Sequence, residues 1–172
     1  MSTDKLDRRL FLKTTGAAGL VALGSSVIMA PDGAWAMTLA KLDEPTATTL
    51  MRVARDLYPH DAVEDGPYAK VVESLDKEAT KDPKTAQTLS DGVKALNAAA
   101  GGKYVAADEA KRIGVLKSME KDAFVQTVRG GVINNFYNDP AVWKKLDYEG
   151  SSAEFGGYLN RGFNDLAWLP KS

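Results

Sequence analysis

The sequence predicts an all-α protein: a single-domain bundle of about five to six helices, followed by an irregular, aromatic C-terminal arm. Apolar residues recur at the three-and-four spacing of an amphipathic helix in one segment after another. Most of these segments begin with an aspartate or an Asp-Pro pair, which are common helix starts. No sustained alternation of β-branched residues indicates a strand. The chain has 172 residues, which is enough for one hydrophobic core.

Start and stop signals place the first two helices. Asp43 supplies a cap and Pro45 an early proline for the first helix, which should end at Pro59. Pro67 is expected to begin the second. The residues predicted to face the core from these helices are Leu50, Val53, Ala54, Leu57, Tyr68, Val71, Val72, Leu75 and Ala79.

Four further helices follow. Asp82-Pro83 begins the third and Gly101-Gly102 stops it, and a fourth begins near Asp108. The fifth is predicted from about Asp122 to Asn138, and Asp139-Pro140 begins a short sixth. Their predicted inward residues are Ala86, Leu89, Val93, Leu96, Ile113, Leu116, Met119, Phe124, Val128, Val132 or Ile133, Phe136, Val142, Trp143 and Leu146.

Two adjacent glycines interrupt the fifth helix. Each costs about 1 kcal/mol of helix stability relative to alanine. Gly130 and Gly131 therefore predict either a close approach of a neighbouring element or a bend.

The N-terminus reads as an export leader. Its motif residues are Arg8, Arg9, Phe11, Leu12 and Lys13. A glycine-diluted apolar run of about fifteen residues follows, shorter than the roughly twenty that span a bilayer. Ala34 and Ala36 then form a small-residue cleavage pattern. We interpret residues 1–36 as a twin-arginine signal, the alternative being an ordinary secretory signal that carries two arginines. A periplasmic location follows, and the leader is either removed after Ala36 or retained.

Composition excludes several kinds of site. The chain has no cysteine, which excludes disulfides, iron–sulfur clusters and covalent c-type haem. Its single histidine, His60, argues against a multi-histidine zinc or copper site. We find no dinucleotide-binding G-x-G-x-x-G after residue 36 and no G-x-S-x-G nucleophile elbow. A net charge of −1 gives no basic stripe for nucleic acid, and no later apolar run could anchor the chain in a membrane.

This combination predicts dependence on a partner. Twin-arginine leaders export proteins that are already folded, usually around a cofactor. The chain nevertheless shows no motif that would hold a cofactor. We therefore expect no catalytic, cofactor-binding or metal-binding residue in it, and we expect it to travel with, or mature, a protein that does hold a cofactor.

Residues 37–146 form the predicted bundle, and residues 147–172 form the arm. Eight of the twelve aromatic residues after position 36 lie from Phe136 onward, five of them in the glycine-rich arm. So much apolar surface must pack, either on its own bundle or on a partner. Phe136 and Trp143 are expected in the core. The candidate partner-interface residues are Phe155, Tyr158, Arg161, Phe163 and Trp168.

Pro59, His60 and Asp61 form one local cluster that could do acid–base chemistry. A histidine beside a carboxylate can act as a general base. The alternative, which we favour, is structural: Pro59 ends the first helix, while His60 and Asp61 tie down the loop by bonding backbone groups.

Several segments resemble the gluconate 2-dehydrogenase small (gamma) subunit family. They are the leader, Asp-Leu-Tyr-Pro-His-Asp at 56–61, Phe-Tyr-Asn-Asp-Pro-Ala-Val-Trp at 136–143, Tyr-Glu-Gly at 148–150 and Phe-Gly-Gly-Tyr-Leu-Asn-Arg-Gly-Phe at 155–163. Members are accessory subunits of periplasmic FAD-dependent sugar, polyol or sugar-acid dehydrogenases. The resemblance implies that FAD and catalysis belong to a large subunit and that a cytochrome c can accept the electrons. It further implies that the small subunit carries the folded large subunit through the twin-arginine translocase and supports its maturation.

Two other functions remain open from the residues alone. One is a free-standing periplasmic enzyme, a hydrolase or lyase that uses His60. The other is a small helical ligand-binding or folding-factor domain that acts alone.

Overall fold

The computed structural model describes residues 26–30, 35–160 and 162. It is mostly helical, with six helices and one two-stranded sheet, and this confirms the predicted helical bundle. The helices are α1 (Glu44–Leu57), α2 (Asp65–Lys81), α3 (Pro83–Ala99), α4 (Glu109–Ser118), α5 (Ala123–Gly131) and α6 (Pro140–Lys145). A π-helical segment, Val132–Phe136, continues α5, and short 3₁₀ turns occupy Tyr104–Ala106 and Ser152–Phe155.

Five of the six helices begin with an aspartate cap. The carboxylates of Asp43, Asp82, Asp108, Asp122 and Asp139 each accept a backbone N–H in the first turn of the helix that follows. These bonds satisfy donors that a helix leaves open at its start. The second helix differs, because α2 begins at Asp65, two residues before the predicted Pro67, and its Glu64 cap makes no side-chain bond.

Helix α2 lies at the centre of the bundle, in contact with α1, α3, α5, the π-helical segment and the sheet. Most of the predicted inward residues are buried, and at the open choice between Val132 and Ile133 the structure buries Val132. The others are not fully buried. Leu146 is exposed because it follows the last turn of α6, so that expectation was wrong. Five more are only half-buried: Leu57, Ala86, Ile113, Met119 and Trp143.

The sequence did not predict the hairpin. Strands β1 (Ser26–Met29) and β2 (Ala36–Leu39) pair antiparallel, with Ser26 opposite Leu39 and Met29 opposite Ala36. Four residues are too few to show a period, and only β2 alternates, burying Met37 and Leu39. Residues 26–29 fall within the predicted leader, whereas Arg8, Arg9, Phe11, Leu12, Lys13 and Ala34 lie outside the described residues.

Two glycines allow helices to pack closely. A Cβ on Gly92 of α3 would lie 2.1 Å from Cγ of Phe124. One on Gly131 would lie 3.0 Å from Cδ2 of Leu75, so the close-approach prediction fits Gly131. Gly130 has nothing within 4 Å of the added carbon.

Candidate functional site

Two of the segments that carry the family resemblance meet in the structure. His60, in the loop after α1, and Tyr137, directly after the π-helical segment, share a hydrogen bond of 2.7 Å between His60 Nε2 and Tyr137 Oη. The residues are 77 positions apart in the sequence. The His60 ring also stacks on Phe136 at 5.5 Å between centroids, with an interplanar angle of 15°. This histidine–tyrosine contact thus joins two distant parts of the chain.

Aromatic rings surround this contact. Tyr58 meets the Tyr137 ring edge-on at 5.7 Å, and Tyr68 of α2 lies 4.5 Å from Phe136, both measured between ring centroids. The Tyr68 hydroxyl donates to the Tyr58 carbonyl at 2.6 Å. We call these four residues, with His60, the aromatic cluster. Edge-to-face packing and buried rings of this kind fix side chains in one arrangement.

Burial raises the pKa of two tyrosine hydroxyls in the cluster. Burial raises the pKa of Tyr68, and the nearby Arg55 guanidinium offsets part of that rise. Burial also raises the pKa of Tyr137, with a further contribution from Tyr58. Both hydroxyls are therefore protonated at neutral pH and act in hydrogen bonds. His60 Nε2 is hydrogen-bonded to the Tyr137 hydroxyl.

The π-helical segment brings Phe136 and Tyr137 into the cluster. A π-turn inserts one extra residue into a helical turn and so rotates everything that follows it. The Asn135 side chain donates to the carbonyl of Gly131 at 2.8 Å, within the same turn. Phe136 is fully buried and Tyr137 half-buried beside it. The helix type thus changes directly after Gly131, where the α-helix gives way to the π-helical segment.

The cluster continues into the arm through Trp143. Its indole Nε1 donates to the carbonyl of Tyr137 at 2.5 Å, and Tyr148 packs edge-on against its ring at 5.6 Å between centroids. Gly150 lies against the same ring at φ 97°, where an added Cβ would be 3.0 Å from Trp143 Cζ3. The start of the arm is therefore held on the bundle by Trp143.

Farther along, the arm exposes apolar side chains. Phe155 is 63% exposed, Tyr158 53% and Leu159 82%. Gly156 and Gly157 between them adopt left-handed φ angles of 78° and 76°. We call Phe155, Tyr158 and Leu159 together the exposed strip. The first two are candidate interface residues, whereas Arg161, Phe163 and Trp168 lie outside the described residues. Clustered apolar exposure of this kind marks contact surfaces.

A buried charge network fixes the other side of α1, and sequence reasoning missed it. Asp56 accepts from Arg112 Nε at 2.7 Å and from Tyr104 Oη at 2.8 Å. The side chains of Asp56 and Arg112 are only 5% and 7% exposed. Burial, with the bond to Asp56, raises the pKa of Tyr104, and the bond to Asp56 raises that of Arg112. Only the unusual charges on otherwise apolar helix faces could have signalled this network.

Arg52 completes the network from one turn earlier on α1. Its Nη2 lies 3.1 Å from Asp56 Oδ1, while its buried Nε has no hydrogen-bond partner within the described part of the chain. The network therefore ties α1 to α4 and to the 3₁₀ turn between α3 and α4.

The other two predicted residues of the loop after α1 face solvent. Pro59 and Asp61 are exposed, and the loop is closed by the Val63 N–H donating to the His60 carbonyl at 3.0 Å. Within residues 26–30, 35–160 and 162, no group of three or more acidic or histidine side chains could hold a metal ion. No helix in those ranges is long and apolar enough to cross a bilayer.

Comparison with known proteins adds no relative: no family model, curated protein or solved structure matches the chain.

Proposed function

We propose that this protein is the non-catalytic small subunit of an exported FAD-dependent sugar, polyol or sugar-acid dehydrogenase. It carries the folded large subunit through the twin-arginine translocase into the periplasm and supports its maturation and stability in a chaperone-like way. FAD and the reaction belong to the large subunit, and a cytochrome c can form a third subunit.

The observation that carries the proposal is the contact between His60 and Tyr137. The segments at 56–61 and 136–143, which both carry the resemblance, meet in this hydrogen bond of 2.7 Å. The carbonyl of Tyr137 also accepts the Trp143 indole N–H, and Tyr148 of the arm packs on the Trp143 ring. The two segments thus support the start of the arm.

The exposed strip of the arm supports a partner. Phe155, Tyr158 and Leu159 keep more than half of their surface exposed, beyond the part of the arm that packs on Trp143. Aromatic side chains of this type are frequent anchors in protein interfaces. A large subunit that covers the strip would remove this apolar surface from water.

The competing enzyme hypothesis depends on His60. In the cluster, His60 is half-buried, stacked on Phe136 and bonded to Tyr137, which favours a structural role over that of a general base. If His60 were catalytic, the purified wild-type protein would show an activity that a His60→Ala variant lacks.

Co-expression tests the proposal directly. The full chain should be produced with an FAD-dependent dehydrogenase large subunit that has no leader of its own. Co-purification from the periplasm, with flavin absorbance in the complex, is the expected result. The protein purified without this partner should show no flavin or haem absorbance, and a stoichiometric chromophore in it would contradict the proposal.

The export step has its own variant. Replacing Arg8 and Arg9 together by lysine should leave both proteins in the cytoplasm, because the twin-arginine translocase recognises the arginine pair. Two exposed lysines, Lys81 and Lys103, replaced by arginine serve as the charge-matched control. Unchanged periplasmic yield of the double-lysine variant would show that the assigned route is wrong.

A further inference from the structure

Strand β2 is bound to the bundle by contacts of its own. Met37 and Leu39 are each 1% exposed against the core. Asp76 of α2 accepts the backbone N–H groups of Ala40, Lys41 and Leu42 at 2.7–2.9 Å. Residues 37–42 are therefore held on the bundle by contacts that do not involve β1.

Strand β1 pairs with the free edge of β2. It contributes little burial, since Ser26, Val27 and Met29 are exposed and Ile28 is half-buried. The association thus depends mainly on backbone pairing, as when an extended peptide adds to a sheet edge.

The pattern of pairing follows from two bonds. The Ala30 N–H donates to the Trp35 carbonyl at 2.9 Å, which marks this pair as hydrogen-bonded. Such pairs alternate along an antiparallel ladder, so Ile28 with Met37 is the next one. The Thr38 N–H instead donates to Glu73 at 2.8 Å, as expected if Thr38 and Val27 form a pair without ladder bonds.

The peptide bond from Ala36 to Met37 is therefore inside the ladder. Its N–H belongs to Met37, which this alternation directs to the carbonyl of Ile28. Ala36 itself lies opposite Met29. If the leader is removed after Ala36, this is the bond that must be cut.

Ile28 and Trp35 also border a mostly apolar pocket of about 260 Å³, together with Met37, Met51 and Val105, and Arg52, Arg55 and Asp65 line its polar part. Removal of residues 1–36 would take away both Ile28 and Trp35. The folded domain thus uses residues on the leader side of the cleavage site as part of its own packing.

We propose that residues 26–30 belong to the folded domain and that the β1–β2 hairpin shields the Ala36–Met37 bond, so that leader removal requires β1 to detach from β2. A peptidase must bind the backbone around its target bond, and here β1 already occupies that edge. The folded chain consequently keeps its leader until the hairpin opens. The processing part of this proposal rests on the leader assigned above.

The test compares two proline variants of the full chain. Proline at 28 removes a ladder N–H, whereas proline at 27 removes an N–H that makes no ladder bond. Ile28→Pro should release β1 and raise the rate of cleavage after Ala36 by about tenfold, the effect expected for a lost hydrogen bond of about 1.4 kcal/mol. Val27→Pro should be cleaved at the wild-type rate. Purified bacterial leader peptidase in detergent micelles is the probe, and intact mass reports cleavage.

Amide hydrogen exchange on the uncleaved full chain gives a second measurement. The Met37 amide should be protected in the wild type and in Val27→Pro, and exposed in Ile28→Pro. Equal cleavage rates for the two variants, cleavage of neither, or an unprotected Met37 amide in the wild type would each overturn the proposal. A large subunit that fails to co-purify would instead contradict the proposed function and leave the exchange result unaffected.

Discussion

The contact between Gly92 and Phe124 sets the spacing of α3 and α5. Because the added carbon of Gly92→Ala would lie 2.1 Å from Phe124 Cγ, the helices must separate or the ring must move. We expect a loss of about 1–3 kcal/mol in the free energy of unfolding, typical of overpacking. Urea denaturation monitored by circular dichroism measures it.

Gly130→Ala is the matched control for Gly92→Ala. It adds the same carbon to a helix where nothing lies within 4 Å, so stability should rise or stay unchanged. Equal effects of the two variants would show that helix propensity, and not the Phe124 contact, governs Gly92.

Asp56 holds the buried charge network together. Asp56→Asn removes the negative charge between Arg112 and Arg52, and Arg112 is then left buried without its counter-ion. Removing one partner of a buried pair typically costs about 3–5 kcal/mol. We expect a loss of this size in the free energy of unfolding measured with urea. Asp91→Asn is the control. It removes an exposed pair with Lys94 and should leave stability nearly unchanged. A small change in the unfolding free energy of Asp56→Asn would show that solvent screens the charges of the network.

The sequence could identify His60 as notable but could not find its partner. Tyr137 lies 77 positions away, and its orientation depends on a π-turn that no periodicity predicts. The same is true of Asp56 and Arg112, 56 positions apart. Contacts between distant residues depend on the packed fold, whereas composition and local spacing report only on near neighbours.

At the scale of the elements, the aspartate caps make the stability of the helix starts depend on pH in the acid range. Hydrogen bonds from Thr85 and Lys84 lower the pKa of Asp82. For Asp139, burial pushes the pKa upward, but bonds from Lys70 and the Ala141 N–H outweigh it and the pKa is lowered. Because the folded values lie below the unfolded ones, the stabilisation is complete above the unfolded pKa of about 3.9 and is lost as pH falls through the folded values.

Asp139→Asn should therefore flatten the acid branch of the stability profile. Asparagine can still cap α6. It does not bind a proton as the pH falls, so the variant has no acid-dependent loss of stability at this position. Urea midpoints measured from neutral pH to below pH 4 should fall less steeply for the variant than for the wild type. Asp61→Asn, which changes an exposed carboxylate, is the control. Parallel profiles for Asp139→Asn and the wild type would contradict the assignment.

The length of the local sequence signal explains why the helices could be predicted and the hairpin could not. An Asp-Pro start followed by several turns of apolar residues is a long local signal, as at Asp82 and Pro83. A four-residue strand such as β1 has no such signal, because it is stabilised by pairing with β2 and not by its own sequence.

At the scale of the whole molecule, variants in the arm should affect binding of the large subunit and not folding of the chain. Phe155→Ala and Tyr158→Ala remove exposed side chains, so the melting temperature of the isolated protein should hardly change. Each should weaken association with the large subunit by about 2 kcal/mol, as for an aromatic anchor. We expect the same of Phe163→Ala and Trp168→Ala. Calorimetric titration and thermal melts give the two readouts.

Ile133→Ala is the control for the arm variants, because it truncates an exposed apolar residue in the π-helical segment and not in the arm. Arm variants that melt early yet bind normally would show that the arm serves the bundle and that the interface lies elsewhere.

The π-helical segment also affects how relatives of this chain would be aligned. A π-turn is in effect a one-residue insertion in an α-helix. A relative with an uninterrupted helix would therefore carry one residue fewer between Gly131 and Asp139 and still keep the equivalents of His60 and Tyr137 in contact. Alignment should accordingly allow a single gap at Val132–Phe136, inside a helix, where gaps are ordinarily penalised most.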